Sequence, residues 1–175
     1  MTTTTRDMQK AKLYRAERRA FGIDQFLIGS MPLAECEAFI RKVCDSAWFQ
    51  SHYGRMEPRI KDGRGTSIAR GSPDAINLPR WARNRAVILH EIAHGATRLV
   101  HGSSVAGHGW EFASTYLALV QHVLGKDMAR RLAAEFKKEH VRTAAKRTRP
   151  MSEEAKAILR ARLAGYRAAA AARQP

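Results

Sequence analysis

The chain has 175 residues, 45% of them hydrophobic, with 31 basic and 16 acidic side chains and a formal charge of +15. That length supports one domain with a sizeable core plus extensions, and no apolar run approaches the roughly 20 residues that cross a bilayer, which argues against membrane insertion. The opening stretch, Met1-Thr2-Thr3-Thr4-Thr5-Arg6-Asp7, lacks the apolar centre of a signal peptide, so a cytoplasmic protein is expected. The charge is uneven: residues 137–175 hold 11 basic and 3 acidic side chains. Such a segment suits contact with a polyanion such as DNA, RNA or a ribosome; the alternative is a solubilising basic tail.

In chain order, residues 6–20 read as a helix with Leu13, Ala16 and Ala20 apolar among Arg and Lys. Gly22 to Pro32 breaks it, and Ser30 is placed to cap the next helix. Leu33, Cys36, Phe39, Ile40, Val43, Ala47 and Trp48 recur at three- and four-residue spacing, which predicts one amphipathic helix over 32–49. Cys36 and Cys44 fall about 12 Å apart along it, too far for a disulfide, and read as buried thiols. Between 57 and 79, short segments at 58–60, 66–70 and 75–78 alternate with Asp62-Gly63, Gly65 and Gly71-Ser72-Pro73-Asp74, the pattern of a small three-stranded antiparallel sheet. A helix over 81–100 is apolar on most sides, hence central and buried. Gly102 ends it, a Gly/Ser loop comes next, and a helix over 108–124 turns Phe112, Tyr116, Leu119, Val120 and Val123 inward. A further helix is predicted over 127–141. Thr148-Arg149-Pro150 marks a linker, and Ser152-Glu153-Glu154 opens an Ala/Arg-rich helix with little to bury. The predicted organisation is an N-terminal helix and connection (1–30), a main domain (31–148) and a basic C-terminal segment (149–175).

The chemistry concentrates in His90-Glu91-Ile92-Ala93-His94. Histidines four apart on a helix lie on one face, about 6 Å apart along the axis, within reach of one metal ion. A glutamate after the first can take a proton from metal-bound water. His108 is the expected third ligand, with His101 and Glu111 as rivals; His101 sits some 10 Å beyond His94 along the helix, too far for one ion. A metzincin would need glycine at 97 and histidine at 100, where this chain has Thr97 and Val100. Three neutral imidazoles would leave zinc one open position for water, with Glu91 as general base. Tyr116 and Arg98 are candidate oxyanion partners, and 66–70 or 75–78 could hold a peptide by main-chain pairing. His52, His122 and His140 read as surface or packing histidines.

The pattern His90-Glu91-x-x-His94, thirteen residues, then His108-Gly109-x-x-Phe112 resembles the SprT/Spartan-type metallopeptidases over about residues 57–125. The resemblance implies an α+β, zincin-like fold, zinc held by His90, His94 and His108, and Glu91 as catalytic base. In Spartan-type enzymes the substrate is protein crosslinked to DNA, which fits the basic charge here. Bacterial SprT proteins often carry a zinc ribbon after the catalytic part; this chain has no cysteine after Cys44. Over residues 6–135, Arg6-Asp7-x-Gln9-x-Ala11-Lys12-x-Tyr14-x-Ala16-Glu17 together with the histidine motif is also similar to a small actinobacterial and phage family of metallohydrolases. The expected function is a zinc metallopeptidase acting on protein near nucleic acid. Two alternatives stand beside it: a nucleic-acid- or ribosome-binding protein with a structural or vestigial zinc site, and a peptidase dedicated to one phage or host regulator.

Overall fold

The computed structural model describes residues 7–22 and 31–145 and, further on, Glu153, Ala157, Arg160 and Ala161. The chain divides into two compact units, Met1–Ala145 and Lys146–Pro175. In the second unit the four described residues are helical and exposed. The predicted Ser30 cap, the linker at 148–150 and most of the basic C-terminal helix lie outside the described residues.

The first unit is α+β. Helix α1, Lys10–Phe21, buries Leu13, Ala16, Glu17, Ala20 and Phe21 on one stripe. The single helix predicted over 32–49 is two: α2, Leu33–Cys44, and α3, Ala47–Tyr53. The break has a local cause. Ser46 adopts an extended conformation and its hydroxyl accepts the Phe49 N–H at 3.2 Å, so it caps a new helix rather than continuing the old one. Cys36 and Cys44 are free, buried thiols on α2.

Strands β1 (Arg59–Asp62), β2 (Arg70–Gly71) and β3 (Ala75–Leu78) form a three-stranded sheet in the order β1-β3-β2. The sheet is mixed, not antiparallel as expected: β3 runs parallel to β1 and antiparallel to β2. The turn signal at Asp62-Gly63 does not close a hairpin. Asp62 instead accepts the Arg64 N–H at 3.0 Å and pairs with Arg83 at 2.6 Å, while the Gly63 N–H bonds to the Leu78 carbonyl at 3.2 Å. The chain is thereby led away from β1, forms the tight β2–β3 hairpin at Ser72-Pro73-Asp74, and returns between its predecessors.

Helix α4, Arg85–His101, comes after a 3-10 turn at Arg80–Ala82 and starts at Asn84, whose side chain accepts the Val87 N–H at 2.9 Å. Every residue from Ala86 to Ala93 is buried, as its apolar circumference predicts. Helix α5 (Trp110–Leu124) packs on it, and α6 (Lys126–Lys138) packs on α5 and on α1. Helix α1 closes the unit from the far side. Arg15 and Arg19 pair with Glu139, and Gln9 exchanges two hydrogen bonds, 3.2 and 3.0 Å, with the backbone of Arg142. Among the described residues no helix is long and apolar enough to cross a membrane.

Candidate metal centre

His90 and His94 lie one turn apart on α4. His108 arrives from a tight turn two residues ahead of α5, not from within that helix: the Gly109 N–H bonds back to the Ala106 carbonyl at 3.0 Å, and Gly109 caps α5. Each of the three imidazoles offers one nitrogen, and these nitrogens lie within 4.8 Å of one another. Phe112 forms the floor, with its ring centroid 4.4–5.0 Å from all three.

Two of the rings are oriented by carboxylates. His90 Nδ1 lies 2.6 Å from Glu17 Oε1, and His108 Nδ1 lies 2.6 Å from Asp7 Oδ2. A carboxylate accepts, so each Nδ1 carries the proton and each Nε2 presents a lone pair. Those two Nε2 atoms then face one another at 3.3 Å. Between them they can hold a shared proton, which the raised His90 pKa favours, or an ion. A tetrahedral ion with nitrogen ligands at about 2.0–2.1 Å sets them about 3.3–3.4 Å apart, so the donor set fits zinc. Histidine ligands whose other nitrogen is held by a carboxylate are the usual arrangement around such an ion.

Burial pulls the His90 imidazolium down, but the charge and hydrogen bond of Glu17 outweigh it and leave its pKa raised. His94 is pushed well below the ordinary histidine value by burial and by its two histidine neighbours. His108 is lowered by burial and by His90, against the opposing pull of Asp7.

Glu91 is 5% exposed, and its Oε2 has no hydrogen-bond partner among the described residues. Burial pushes its carboxyl up to about 7, and Glu17 adds to the rise, while His90 and the Gly71 N–H oppose it. Gly71 is there for a steric reason. It sits so close to α4 that a Cβ would collide with the Glu91 carbonyl. Ser72 donates to the Ala75 carbonyl on the β3 side at 2.9 Å. Backbone groups alternate along a strand, so Gly71 faces the open edge of β2 and meets Glu91 there. Residues 75–78, one of the two expected peptide-pairing segments, form the central strand with both edges occupied. The edge strands are β1 and β2, and β2 is the one beside Glu91.

Two clefts flank the centre. The first, about 290 Å³, lies on the His90–Glu91 side and is lined by Tyr14, Ile68, Trp81 and Val87 among others. The second, about 550 Å³, lies on the His94–His108 side and is lined by Lys61, Arg70, Asn77 and Arg98. Of the two expected oxyanion partners, Arg98 thus reaches the second cleft. Tyr116 does not reach either: it is fully buried, and its hydroxyl donates to the Ala86 carbonyl at 3.3 Å. Tyr14 occupies the corresponding place, with its ring 5.6 Å from His90 and 5.1 Å from His108. Burial, with Glu17, Glu91 and Asp7, raises its phenol to about 12, so it stays a donor at neutral pH.

His101 is exposed near Trp110, and Glu111 is half-buried; neither joins the cluster. His52 and His122 stack on the two faces of Trp48 at 4.5 and 4.1 Å, and His140 is exposed. Asp7, Tyr14 and Glu17 are site residues that the histidine motif does not announce. The sequence holds two signals for them: all three fall in the Arg6–Glu17 pattern that accompanies the histidine motif, and Glu17 lies on the apolar stripe of Leu13, Ala16 and Ala20, where a carboxylate needs a buried partner. Among known proteins, no family model, curated sequence or solved structure matches this chain significantly.

Proposed function

We propose that this chain is a zinc-dependent, zincin-like hydrolase that cleaves peptide bonds in protein substrates, in the manner of the SprT-type enzymes. The observation that carries the reading is the convergence of three imidazole nitrogens within 4.8 Å of one another beside the buried Glu91 carboxylate, whose Oε2 has no partner among the described residues. A packed core of three histidines would leave that oxygen unexplained. His90, His94 and His108 hold the ion, with Asp7 and Glu17 fixing the two outer rings. Bound zinc would supply Lewis acidity and an activated water.

The protein groups then divide the remaining work. Glu91, with its affinity for a proton raised toward neutrality, takes one proton from water and returns it to the departing amine. The Tyr14 hydroxyl donates to the developing oxyanion from the first cleft. The outer edge of β2 offers the backbone of Ala69 and the Gly71 carbonyl to an extended substrate, the Gly71 N–H being taken by Glu91. Contact between the basic C-terminal segment and nucleic acid belongs to the same proposal as a way of recruiting substrate.

Replacing Glu91 by glutamine tests the mechanism. Zinc content measured by elemental mass spectrometry should stay near one per chain, while cleavage of a protein substrate falls by about 10²–10⁴-fold. A Glu91→Gln protein that cleaves as fast as wild type removes the base from the scheme.

A further inference from the structure

The two clefts differ in chemistry, and the same backbone segment runs through both. Ser67, Ile68 and Ala69 line the first; Arg70, Gly71 and Ser72 line the second. The first cleft has an apolar rim of Trp81, 44% exposed, and Ile68, 55% exposed, beside Val87. Large apolar side chains left open next to a reactive centre mark a place where another apolar group docks.

The second cleft holds Lys61, Arg70 and Arg98, and no carboxylate lines it. None of the three has an ion-pair partner among the described residues, and what sets them apart from other unpaired cations is that they line one carboxylate-free cleft together. The three come from different elements: β1, β2 and the last turn of α4. Their convergence without a counter-charge next to His94 and His108 is a site built for an anion.

Resting on the peptidase reading above, we propose that the substrate is an extended peptide with acidic residues on one side of the cleaved bond and a large apolar residue on the other. The acidic side chains lie in the cleft of Lys61, Arg70 and Arg98. The apolar one lies against Trp81, Ile68 and Val87, and the intervening backbone pairs with the open edge of β2. A nucleic acid would also answer the positive charge. A base could stack on Trp81, but the branched side chains of Ile68 and Val87 beside it make a pocket for an aliphatic or aromatic side chain rather than a flat stacking platform. The acidic peptide is therefore the occupant assigned.

The test uses the full zinc-loaded chain carrying Glu91→Gln, so that ligands bind without turnover. Fluorescence anisotropy would be read with decapeptides that place four Asp/Glu residues beside a Leu-Phe pair, in both orders. Controls replace the acids by lysine or the Leu-Phe pair by serine, and a single-stranded oligothymidylate of equal charge serves as the rival ligand. One order of the acidic–apolar peptide should bind best. Either control peptide should lose about tenfold, and so should Arg70→Glu plus Arg98→Glu, or Trp81→Ala, added to the protein. The lysine-containing peptide should recover affinity on the charge-reversed protein, a gain that loss of folding would not produce. Zinc content and melting temperature of each variant establish that the centre is intact.

The proposal fails if acidic and basic peptides bind alike, or if charge reversal leaves peptide affinity unchanged. It fails equally if the oligothymidylate binds and the peptides do not, which would give the cleft to nucleic acid. The peptidase reading is tested separately with the wild-type residue restored at 91. Charge-selective binding without any cleavage would overturn that reading and leave the cleft assignment standing; cleavage without charge selectivity would do the reverse.

Discussion

Helices α1 and α4 both contribute to the candidate metal centre, by opposite means. Helix α4 is buried almost all round and carries His90, Glu91 and His94 within five consecutive residues, so helical geometry alone brings two candidate ligands and the candidate base together. Helix α1 is rich in arginine, and Asp7 just ahead of it and Glu17 within it reach His108 and His90 across 101 and 73 residues of chain. It is fastened from outside, through Glu139 and Arg142. A short-range device supplies the candidate ligands; a long-range one orients the rings of His90 and His108. Loss of the first removes the centre, whereas loss of the second leaves its parts in place but poorly aimed.

The largest effect should come from α4. His94→Ala should take zinc content from about one per chain to near zero, as read by elemental mass spectrometry after dialysis; retention of a full equivalent would show that α4 is not the ligand source. Next come the carboxylates of the α1 side. Glu17→Ala or Asp7→Ala should still load zinc at saturation but weaken its affinity about 10–100-fold in a chelator competition, with Glu17→Gln between alanine and wild type. Affinity indistinguishable from wild type in both variants would erase the difference between the helices.

A smaller loss is expected at Gly71, where β2 touches α4. Gly71→Ala forces a methyl against the Glu91 carbonyl and should destabilise the protein by about 1–3 kcal/mol in urea unfolding; an unchanged midpoint would mean that the strand can draw back freely. The smallest effect belongs to the fastening of α1. Arg15 and Arg19 hold the Glu139 carboxyl below its usual pKa. The pair therefore stabilises the fold above the ordinary glutamate range, near pH 4–5, and its contribution disappears as pH falls through the lower folded value. Glu139→Gln should lower the melting temperature slightly at pH 7, and the gap should close in acid. A gap that persists or widens there would assign the loss to packing.

The same contrast explains which parts of the structure are legible in the residues. The extent and burial of α4 come from an unbroken apolar periodicity, and the approach of His108 comes from the short loop that returns to α4. The α2–α3 break is hidden because Ala47 and Trp48 continue the apolar spacing past Ser46, so one stripe spans two helices. The parallel pairing of β1 with β3 depends on the contacts of Asp62 with Arg83 and of Gly63 with Leu78, 21 and 15 residues away, which no local turn signal records. Tyr116 suits an oxyanion partner by its position on the inward stripe of α5, but an inward side chain can point behind a site as readily as into it. The roles of Asp7, Tyr14 and Glu17 depend on where α1 docks, and docking is a property of the whole unit.

The Gln9–Arg142 and Arg15/Arg19–Glu139 contacts join residues 120 or more positions apart. A chain emerging from the ribosome has α4 and its histidine motif long before it has Glu139 or Arg142. Until those residues are out, α1 lacks its fastening, and the carboxylates that aim His90 and His108 have no fixed place. Non-local contacts of this span form late in folding. Under the hydrolase reading proposed above, such a chain would gain competence only after residue 142 has left the ribosome.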